Sequence, residues 1–230
     1  MKDLHLGVVV PVLNAFPEFA KCIASVKSEL AWWQPYVGKQ WEENLAIAAV
    51  WNRKSRAAFL DGCDYVLILN DDAYVEPWAV DRMIEELQQN PSLHLVSGES
   101  THMPGEVIQA EPLKRANLNF SCFMITPELF NWVGLFDENF YPAYFEDNDF
   151  HYRMQLLGMP AYGLKAAQFF HQGSVTTNNR KEEIGHTIYS QFEDNRTYYV
   201  EKWGGNPGEE VFSHPFNEPA YGPEYWELKK

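Results

Sequence analysis

Apolar and polar residues alternate along the chain in blocks whose lengths match those of single strands and helices. Compact apolar runs of about 4–8 residues predict buried strands, and they fall at residues 6–12, 65–69, 93–97 and 119–126. Longer segments with helical spacing predict helices at residues 16–30, 45–60, 77–89, 150–157 and 188–203. A further helix is predicted to begin at Pro127 and end at Gly134, because proline favours the first helical position and glycine the position after the last.

This alternation predicts an α/β fold: a mixed, mainly parallel, Rossmann-like sheet flanked by helices. The run at residues 65–69 is apolar throughout, as in strands that are covered on both faces. We expect residues 1–203 to form a single domain. Residues 204–230 are rich in Gly, Pro, Tyr and Trp, and we expect them to form a tail that wraps the surface.

The composition is that of a folded protein, since 46% of the 230 residues are hydrophobic and 15% are aromatic. The formal charge of −14 argues against broad binding to nucleic-acid backbones, because each phosphate contact needs one of only 18 Lys and Arg residues. No apolar run is long enough to span a membrane, and the N-terminus lacks a basic region followed by an apolar one. Cys22, Cys63 and Cys122 show no paired metal spacing and suit reduced thiols, so we expect a cytoplasmic protein.

A cluster of short polar side chains, Asn70, Asp71 and Asp72, directly follows the apolar run at residues 65–69. Ligands of α/β sheets bind at the carboxyl ends of strands. Oxygen ligands of this kind suit a ribose, or Mg²⁺ or Mn²⁺ carrying a substrate diphosphate. The alternative is an ordinary strand-to-turn junction, where Asn and Asp are common.

A second acidic cluster, Glu146, Asp147 and Asp149, stands just before the helix expected at residues 150–157. A structural explanation exists, because carboxylates are favourable at a helix N-terminus and Asp149 can pair with Arg153. That explanation does not account for the aromatic residues around the cluster, which are Tyr141, Tyr144 and Phe145. Carboxylates beside aromatic rings are suited to holding a sugar while one acid takes a hydroxyl proton.

A histidine, His171, ends a strand-like apolar segment further along the chain. A neutral imidazole can bind a borderline divalent metal. A lone histidine is nevertheless more often structural than a ligand, and both interpretations stay open.

The order of these motifs resembles that of an inverting family-two glycosyltransferase of the GT-A fold, closest to its rhamnosyltransferase-like and galactofuranosyltransferase-like branch. The motifs that carry the resemblance are Val10-Pro11-Val12-Leu13-Asn14, Asn70-Asp71-Asp72, Gly134-Leu135-Phe136-Asp137-Glu138, Glu146-Asp147-Asn148-Asp149 and His171. The resemblance implies a nucleotide-diphosphate sugar as donor, Mn²⁺ or Mg²⁺ as cofactor, and hexosyl transfer with inversion. The resemblance runs from about Leu6 to Ser174, and we expect residues 1–203 to be the catalytic domain.

The resemblance places the nucleotide at the ends of two strands. It implies that Pro11 and Asn14 lie in a turn under the nucleotide. It also implies a donor-binding role for Asn70, whose amide can hydrogen-bond a ribose hydroxyl. Asp71 is a further donor-side candidate and a second-choice metal ligand.

The resemblance assigns the metal to Asp72 and His171, and the role of general base to Asp147. Glu146 is the second member of the catalytic acidic pair. The remaining acceptor-binding candidates share the wall around this pair and are Asp137, Tyr144, Phe145 and Asp149.

A polar segment at residues 176–185 contains Arg180 and Lys181, where members of the family place a flexible segment near the diphosphate. We expect a lid that orders over the donor, with Arg180 on the diphosphate, and the alternative is a solvated loop. One departure from the family concerns its second strand, which ends in an acidic residue that reads the base. Residues 26–52 offer no clear equivalent.

The sequence therefore predicts a metal-dependent inverting glycosyltransferase whose acceptor hydroxyl belongs to a saccharide, a protein or a modified nucleic-acid base. Two other classes stay open. A nucleotidyltransferase also joins a nucleotide fold to acidic metal ligands, although it normally needs a Gly- and basic-rich phosphate loop that residues 8–14 lack. A non-catalytic sugar- or nucleotide-binding module would keep the aromatic residues without needing a base.

Overall fold

The computed structural model describes residues 3–12, 18–40, 45–106, 114–115, 118–173 and 186–222, and of residues 114–115 and 186–190 it describes the backbone alone. Asn14, Arg180 and the segment at residues 176–185 lie outside this part of the chain. Among the helices that it contains, none is long and apolar enough to cross a membrane.

One mixed sheet of eight strands forms the centre of the described structure. The strands are β1 (Leu4–Val12), β2 (Ala31–Lys39), β3 (Tyr65–Leu69), β4 (Ala73–Val75), β5 (Leu95–Thr101), β6 (Lys114–Arg115), β7 (Cys122–Ile125) and β8 (Tyr162–His171). Their spatial order is β2-β1-β3-β7-β5-β8-β4, and β6 pairs with β8.

The pairing directions bring the carboxyl ends of five strands to one edge of this sheet. β1 is parallel to β2 and to β3, β8 is parallel to β5, and β7 lies antiparallel between β3 and β5. β1, β2, β3, β5 and β8 therefore all run in the same direction. We call the edge where they end the carboxyl edge, and it is where ligands of α/β sheets bind.

Helices cover both faces of the sheet. The apolar side chains of β1 point alternately to the two faces, so each face needs a helical layer to bury them. The helices are α1 (Glu18–Ser25), α2 (Ile47–Leu60), α3 (Ala79–Gln89), α4 (Pro127–Val133), α5 (Glu146–Leu156) and α6 (His186–Trp203). Leu6 and Val8 pack on one face in a core with α1 and α3. Val9 packs on the other in a core with α2, α4 and α5.

A third apolar cluster packs α6 against the segment that precedes α5. Its buried members are Phe140, Phe145, Tyr198, Tyr199 and Trp203. The chain after α6 lies against the same cluster, since the N–H groups of Val211 and Phe212 donate to the carbonyl of Trp203. The division into a domain at 1–203 and a tail at 204–230 stays a prediction.

The α/β class and the mixed sheet are confirmed, and two of the differences from the predicted elements bear on the site. The helix expected at residues 16–30 is limited to Glu18–Ser25, and residues 31–39 form the edge strand β2. The pattern hid this strand because Pro35 and Gly38 interrupt it, and such residues are tolerated at an edge. In addition, α5 begins at Glu146, so the second acidic cluster forms the first turn of the helix.

Candidate active site

The first acidic cluster lies at the carboxyl edge, directly after β3. The backbone fixes Asn70, because its N–H donates to the carbonyl of Ser121 (2.9 Å) and its carbonyl accepts from the N–H of Ala73 (3.0 Å). Its side-chain Oδ1 is buried and has no hydrogen-bond partner. Leaving a buried amide oxygen unpaired costs free energy, so this oxygen is suited to accept a hydrogen bond from a ligand or to bind a cation.

Asp72 and His171 meet at the same edge. β4 pairs antiparallel with β8 so that Ala73 lies opposite His171, and the N–H of Gln172 donates to the carbonyl of Asp72 (3.0 Å). The Nε2 atom of His171 lies 2.9 Å from Oδ1 of Asp72. Asp72 is buried, whereas 25% of the His171 side chain is exposed, so the pair can be reached from solvent on the imidazole side.

Asp71 lies beside this pair and near the end of α1. The thiol of Cys22 donates to the carbonyl of Asn70 (3.4 Å). Burial raises the pKa of that thiol, and the charge of Asp71 raises it further. The cluster therefore presents a concentrated negative charge at the carboxyl edge.

The residues around Asp72 fit a divalent cation that is shared with a substrate. A carboxylate, an imidazole and an amide oxygen are ligand types that Mn²⁺ accepts. Within the described residues, no group of three or more His, Cys, Asp and Glu side chains could hold a metal by itself. A cation here would need further oxygens from a bound diphosphate, as in sites that join one or two carboxylates to substrate phosphates.

The second acidic cluster begins α5 after two residues in a left-handed conformation. Tyr144 and Phe145 have φ angles of 80° and 73°, which cost non-glycine residues about 1–3 kcal/mol each. Such strain persists where surrounding contacts impose it, and it is concentrated at functional sites. Here it sets the direction in which Glu146 and Asp147 leave the loop.

Side chains from distant elements hold this strained loop in place. The carbonyl of Pro142 accepts hydrogen bonds from Nε2 of Gln40 (3.0 Å) and from the N–H of Ile47 (2.9 Å). Asn195 of α6 donates from Nδ2 to the carbonyl of Ala143 (2.9 Å). The N–H of Gln40 also donates to the last carbonyl of β1 (3.0 Å), so the acidic pair is tied to the carboxyl edge.

Burial controls the protonation of the acidic pair. Glu146 is buried and its Oε2 has no hydrogen-bond partner. Burial, together with the charge of Asp147, raises the pKa of Glu146 well above its ordinary value. Burial also raises the pKa of Asp147, although the N–H of Asn148 donates to its Oδ1 (2.8 Å) and favours the charged form. Because neighbouring carboxylates resist joint ionisation and the pKa of Glu146 is raised further, Asp147 ionises before Glu146 as pH rises.

Asp137 and Asp149, which were predicted to contact the acceptor, are instead fully buried in an ion network. Nζ of Lys202 lies 2.8 Å from Asp137 and 2.7 Å from Asp149. Asp149 also accepts from Nε of Arg153 (2.9 Å) and from the indole of Trp203 (2.8 Å). Burial alone would raise the pKa of Asp149, but Lys202 and Arg153 hold it below its ordinary value. These carboxylates join α6 to α5, and their burial does not fit direct contact with an acceptor.

The two aromatic residues before α5 differ in exposure. Phe145 is 8% exposed and packs against Phe192 and Tyr199, with ring centroids 5.1 and 5.7 Å away. A role for Phe145 in acceptor contact does not fit this position. Tyr144 is 39% exposed and its ring packs edge-on against Phe192, so its exposed face remains a candidate surface for a sugar.

Pro11 lies inside β1, where it is buried and pairs with Gly38. It therefore supports the carboxyl edge from within the strand, and the turn expected to follow it is outside the described residues.

The sequence did not indicate three residues, Gln40, Asn195 and Lys202, that fix the position of the acidic pair and its network. Each is a single polar residue, and nothing in the sequence shows which distant partner it binds.

Comparison with known proteins gives one local sequence match and a likeness in fold. No known protein-family profile matches the chain. A stretch of 46 residues is 46% identical to a galactofuranosyl glycosyltransferase of Leishmania donovani, which is 20% of this chain but only 11% of that protein. S. aureus TarS 1–349 superposes with a TM-score of 0.50 at 12% identity, over 86% of this chain and 73% of that one. TarS 1–349 in complex with UDP gives a TM-score of 0.48 at 13% identity, over 72% of this chain and 59% of that one.

The likeness to TarS 1–349 shows a shared fold. The GT-A fold that the sequence resemblance implied is therefore confirmed. In this fold the chain carries the Asp72–His171 pair and the Glu146–Asp147 pair at one edge of the sheet.

Proposed function

We propose that this chain is an inverting glycosyltransferase that moves a sugar from a nucleotide-diphosphate sugar to an acceptor hydroxyl. The observation that carries the proposal is the position of the Asp72–His171 pair and the Glu146–Asp147 pair at the same carboxyl edge. The first pair offers ligands for a diphosphate-bound cation and the second offers a base. The GT-A fold and the local match to a galactofuranosyl glycosyltransferase support the same class.

The donor would bind across the ends of β1 and β3. Asn70 presents an unpaired buried oxygen suited to a ribose hydroxyl, and Pro11 shapes the strand end beneath. Asp72 and His171, with Asp71 beside them, would hold Mn²⁺ or Mg²⁺ between the protein and the diphosphate. Such a cation, when bound, supplies positive charge that neutralises the departing diphosphate.

The transfer itself needs one proton movement and one substitution. The carboxylate of Asp147 takes the proton of the acceptor hydroxyl, whose oxygen forms the new bond to the anomeric carbon. The bond from that carbon to the diphosphate breaks on the opposite face, and the nucleoside diphosphate leaves with the bonding electrons. Glu146, whose pKa is raised the further of the two, ionises after Asp147 and so adds no second negative charge when Asp147 first becomes a base. Tyr144 offers an exposed ring for the acceptor or the transferred sugar.

The transferred sugar is proposed to be a hexosyl unit, and galactofuranose is the first to test because of the local sequence match. The acceptor hydroxyl belongs to a saccharide, a protein or a modified nucleic-acid base.

The cytoplasmic location of the protein stays a prediction.

A screen of nucleotide sugars tests this function directly. The purified protein with Mn²⁺ should release nucleoside diphosphate from at least one donor, and the same donor should raise its melting temperature. Asp147→Asn should keep the thermal shift and lose the release. Transfer of a nucleotidyl group with release of pyrophosphate would instead identify a nucleotidyltransferase. Thermal stabilisation without turnover in any combination with candidate acceptors would identify a binding module.

A further inference from the structure

A polar pocket lies beside the strained loop and is not used by the reaction described above. Its volume is about 300 Å³. It is formed by α6 and by the segment before the loop, and it is lined by Asn139, Tyr141, Gln191, Asp194, Asn195, Thr197, Tyr198 and Glu201.

The chemistry of the lining favours a neutral ligand that carries many hydroxyl groups. Asp194 and Glu201 supply carboxylate acceptors for hydroxyl groups, and the amide of Gln191 can both donate and accept. Other lining groups already donate within the protein, as Asn195 does to Ala143 and Tyr198 does to Asp137. Among the described residues that line the pocket, none is Lys or Arg, so a phosphate or another anion would meet the carboxylates of Asp194 and Glu201 without a countercharge from this lining. Two tyrosine rings add the flat apolar surface on which the C–H faces of a sugar can pack.

The pocket is physically continuous with the loop that carries the acidic pair. Asn195 lines the pocket and donates to the carbonyls of Ala143 (2.9 Å) and Tyr144 (3.4 Å). Tyr198 also lines it, and its hydroxyl donates to Asp137 (2.9 Å) in the buried ion network. A ligand in this pocket would therefore rest on the side chains that hold α6 against the start of α5.

The size of the pocket limits what it can hold. Pockets for small molecules start at about 300 Å³, so this one suits one or two sugar units rather than a long chain. We propose that the pocket is a saccharide subsite, which binds a unit of an acceptor glycan away from the hydroxyl that reacts. This assignment rests on the proposed function, since it supplies the acceptor class that the acidic pair alone does not specify.

Asp194→Ala and Gln191→Ala, alone and together, test the subsite because both side chains line the pocket at α6. Glu193→Ala and Arg196→Ala are matched controls, since both residues are exposed on the same helix and lie outside the lining. The probes are galactose, glucose, N-acetylglucosamine, rhamnose, lactose and cellobiose. Binding is measured by saturation-transfer NMR with UDP and Mg²⁺ present in excess, which blocks the proposed donor site and, unlike Mn²⁺, does not broaden the resonances.

At least one probe should bind the unmodified protein, and the double variant should weaken that binding at least about tenfold through the loss of two polar contacts. The two controls should bind as the unmodified protein does. The subsite is overturned if no probe binds at 20 mM, or if the double variant binds as well as the controls. Release of nucleoside diphosphate from donors, measured separately without saccharide, decides the proposed function, so the two failures are distinguishable.

Discussion

Nε2 of His171 lies 2.9 Å from Oδ1 of Asp72, although the two residues are 99 positions apart in the chain. The contact depends on the antiparallel pairing of β4 with β8, which sets Ala73 opposite His171. An imidazole and a carboxylate that are held together by strands, rather than by loops, keep their spacing when a ligand arrives. This pair is therefore a rigid part of the candidate site.

Asp72→Ala and His171→Ala should each weaken Mn²⁺-dependent binding of the donor at least about tenfold, because each removes one of the two proposed metal ligands. The double variant should lose little more than either single variant if the two side chains share one ion. Isothermal titration with the donor identified by the screen measures this coupling. Tyr74→Phe is the control, since it removes only the hydrogen bond from Tyr74 to Gln172 (3.0 Å) beside the pair. Fully additive losses in donor binding would show that Asp72 and His171 act separately.

Asp147→Asn should lower turnover at least about a hundredfold while donor affinity changes little, because the substitution removes only the proposed base. Glu128→Gln is a matched control: Glu128 is the first-turn carboxylate of α4, as Asp147 is a first-turn carboxylate of α5. Steady-state rates with saturating donor make the comparison. If Asp147→Asn transfers sugar as fast as Glu128→Gln, another group acts as the base.

Glu146→Gln should stabilise the protein at pH 8 more than at pH 5. Burial raises the pKa of Glu146 well above 4.5, so the folded state holds this proton over a pH range in which the unfolded state has lost it. Stability therefore falls as pH rises through that range, and the uncharged amide removes the loss. Melting temperatures of both proteins from pH 5 to pH 8 test the sign. A difference that shrinks toward pH 8 would contradict the raised pKa.

The acidic limb of the turnover profile should lie above the ordinary pKa of an aspartate, because burial raises the pKa of Asp147. Transfer should fall as pH drops through this limb, since protonated Asp147 cannot accept the hydroxyl proton. The measurement is kcat against pH with the matched donor and acceptor. A limb at or below 3.8, the usual aspartate value, would rule out Asp147 as the titrating base.

Lys202→Met should destabilise the fold by about 3–5 kcal/mol, because it leaves two buried carboxylates with less positive charge. Arg82→Met is a suitable control: Arg82 lies 2.7 Å from Glu85, as Lys202 does from Asp149, but the Arg82 pair is exposed. An exposed pair contributes less than about 1 kcal/mol. Urea unfolding of the two variants measures both free energies. Equal losses would mean that burial does not set the value of the Lys202 contacts.

The sequence was sufficient for the parts of the fold whose signal is local. The apolar run at residues 65–69 became β3 without a change of bounds, and α2 begins two residues later than its prediction. β2 was missed because the mixture of Trp, Gln, Pro and Gly in residues 31–39 gives no clean alternation. β2 is an edge strand that is stabilised by its pairing with β1. This pairing is a tertiary interaction, which local sequence does not show.

The candidate site was predictable where its residues belong to short motifs. It was not predictable where burial decides whether a side chain faces a ligand or the protein interior. The resemblance put Asp72 and His171 together, and the structure places them in contact, while their roles as metal ligands stay predictions. Asp137 and Asp149 carry the same motif signal but face Lys202, which is 65 positions from Asp137. The local sequence around a carboxylate is the same whether its partner in the folded protein is a substrate or a distant lysine, so the motif alone cannot distinguish the two.

The Lys202 network also has a consequence for the order in which the protein is made. During synthesis Asp137 and Asp149 leave the ribosome well before Lys202, the cation that both of them contact in the folded protein. Their burial without that cation is unfavourable, and the start of α5 cannot reach its final packing until α6 arrives. The acidic pair is thus assembled late, by the last long helix of the described chain, and a ribosome-bound fragment that ends before residue 202 should lack a finished site.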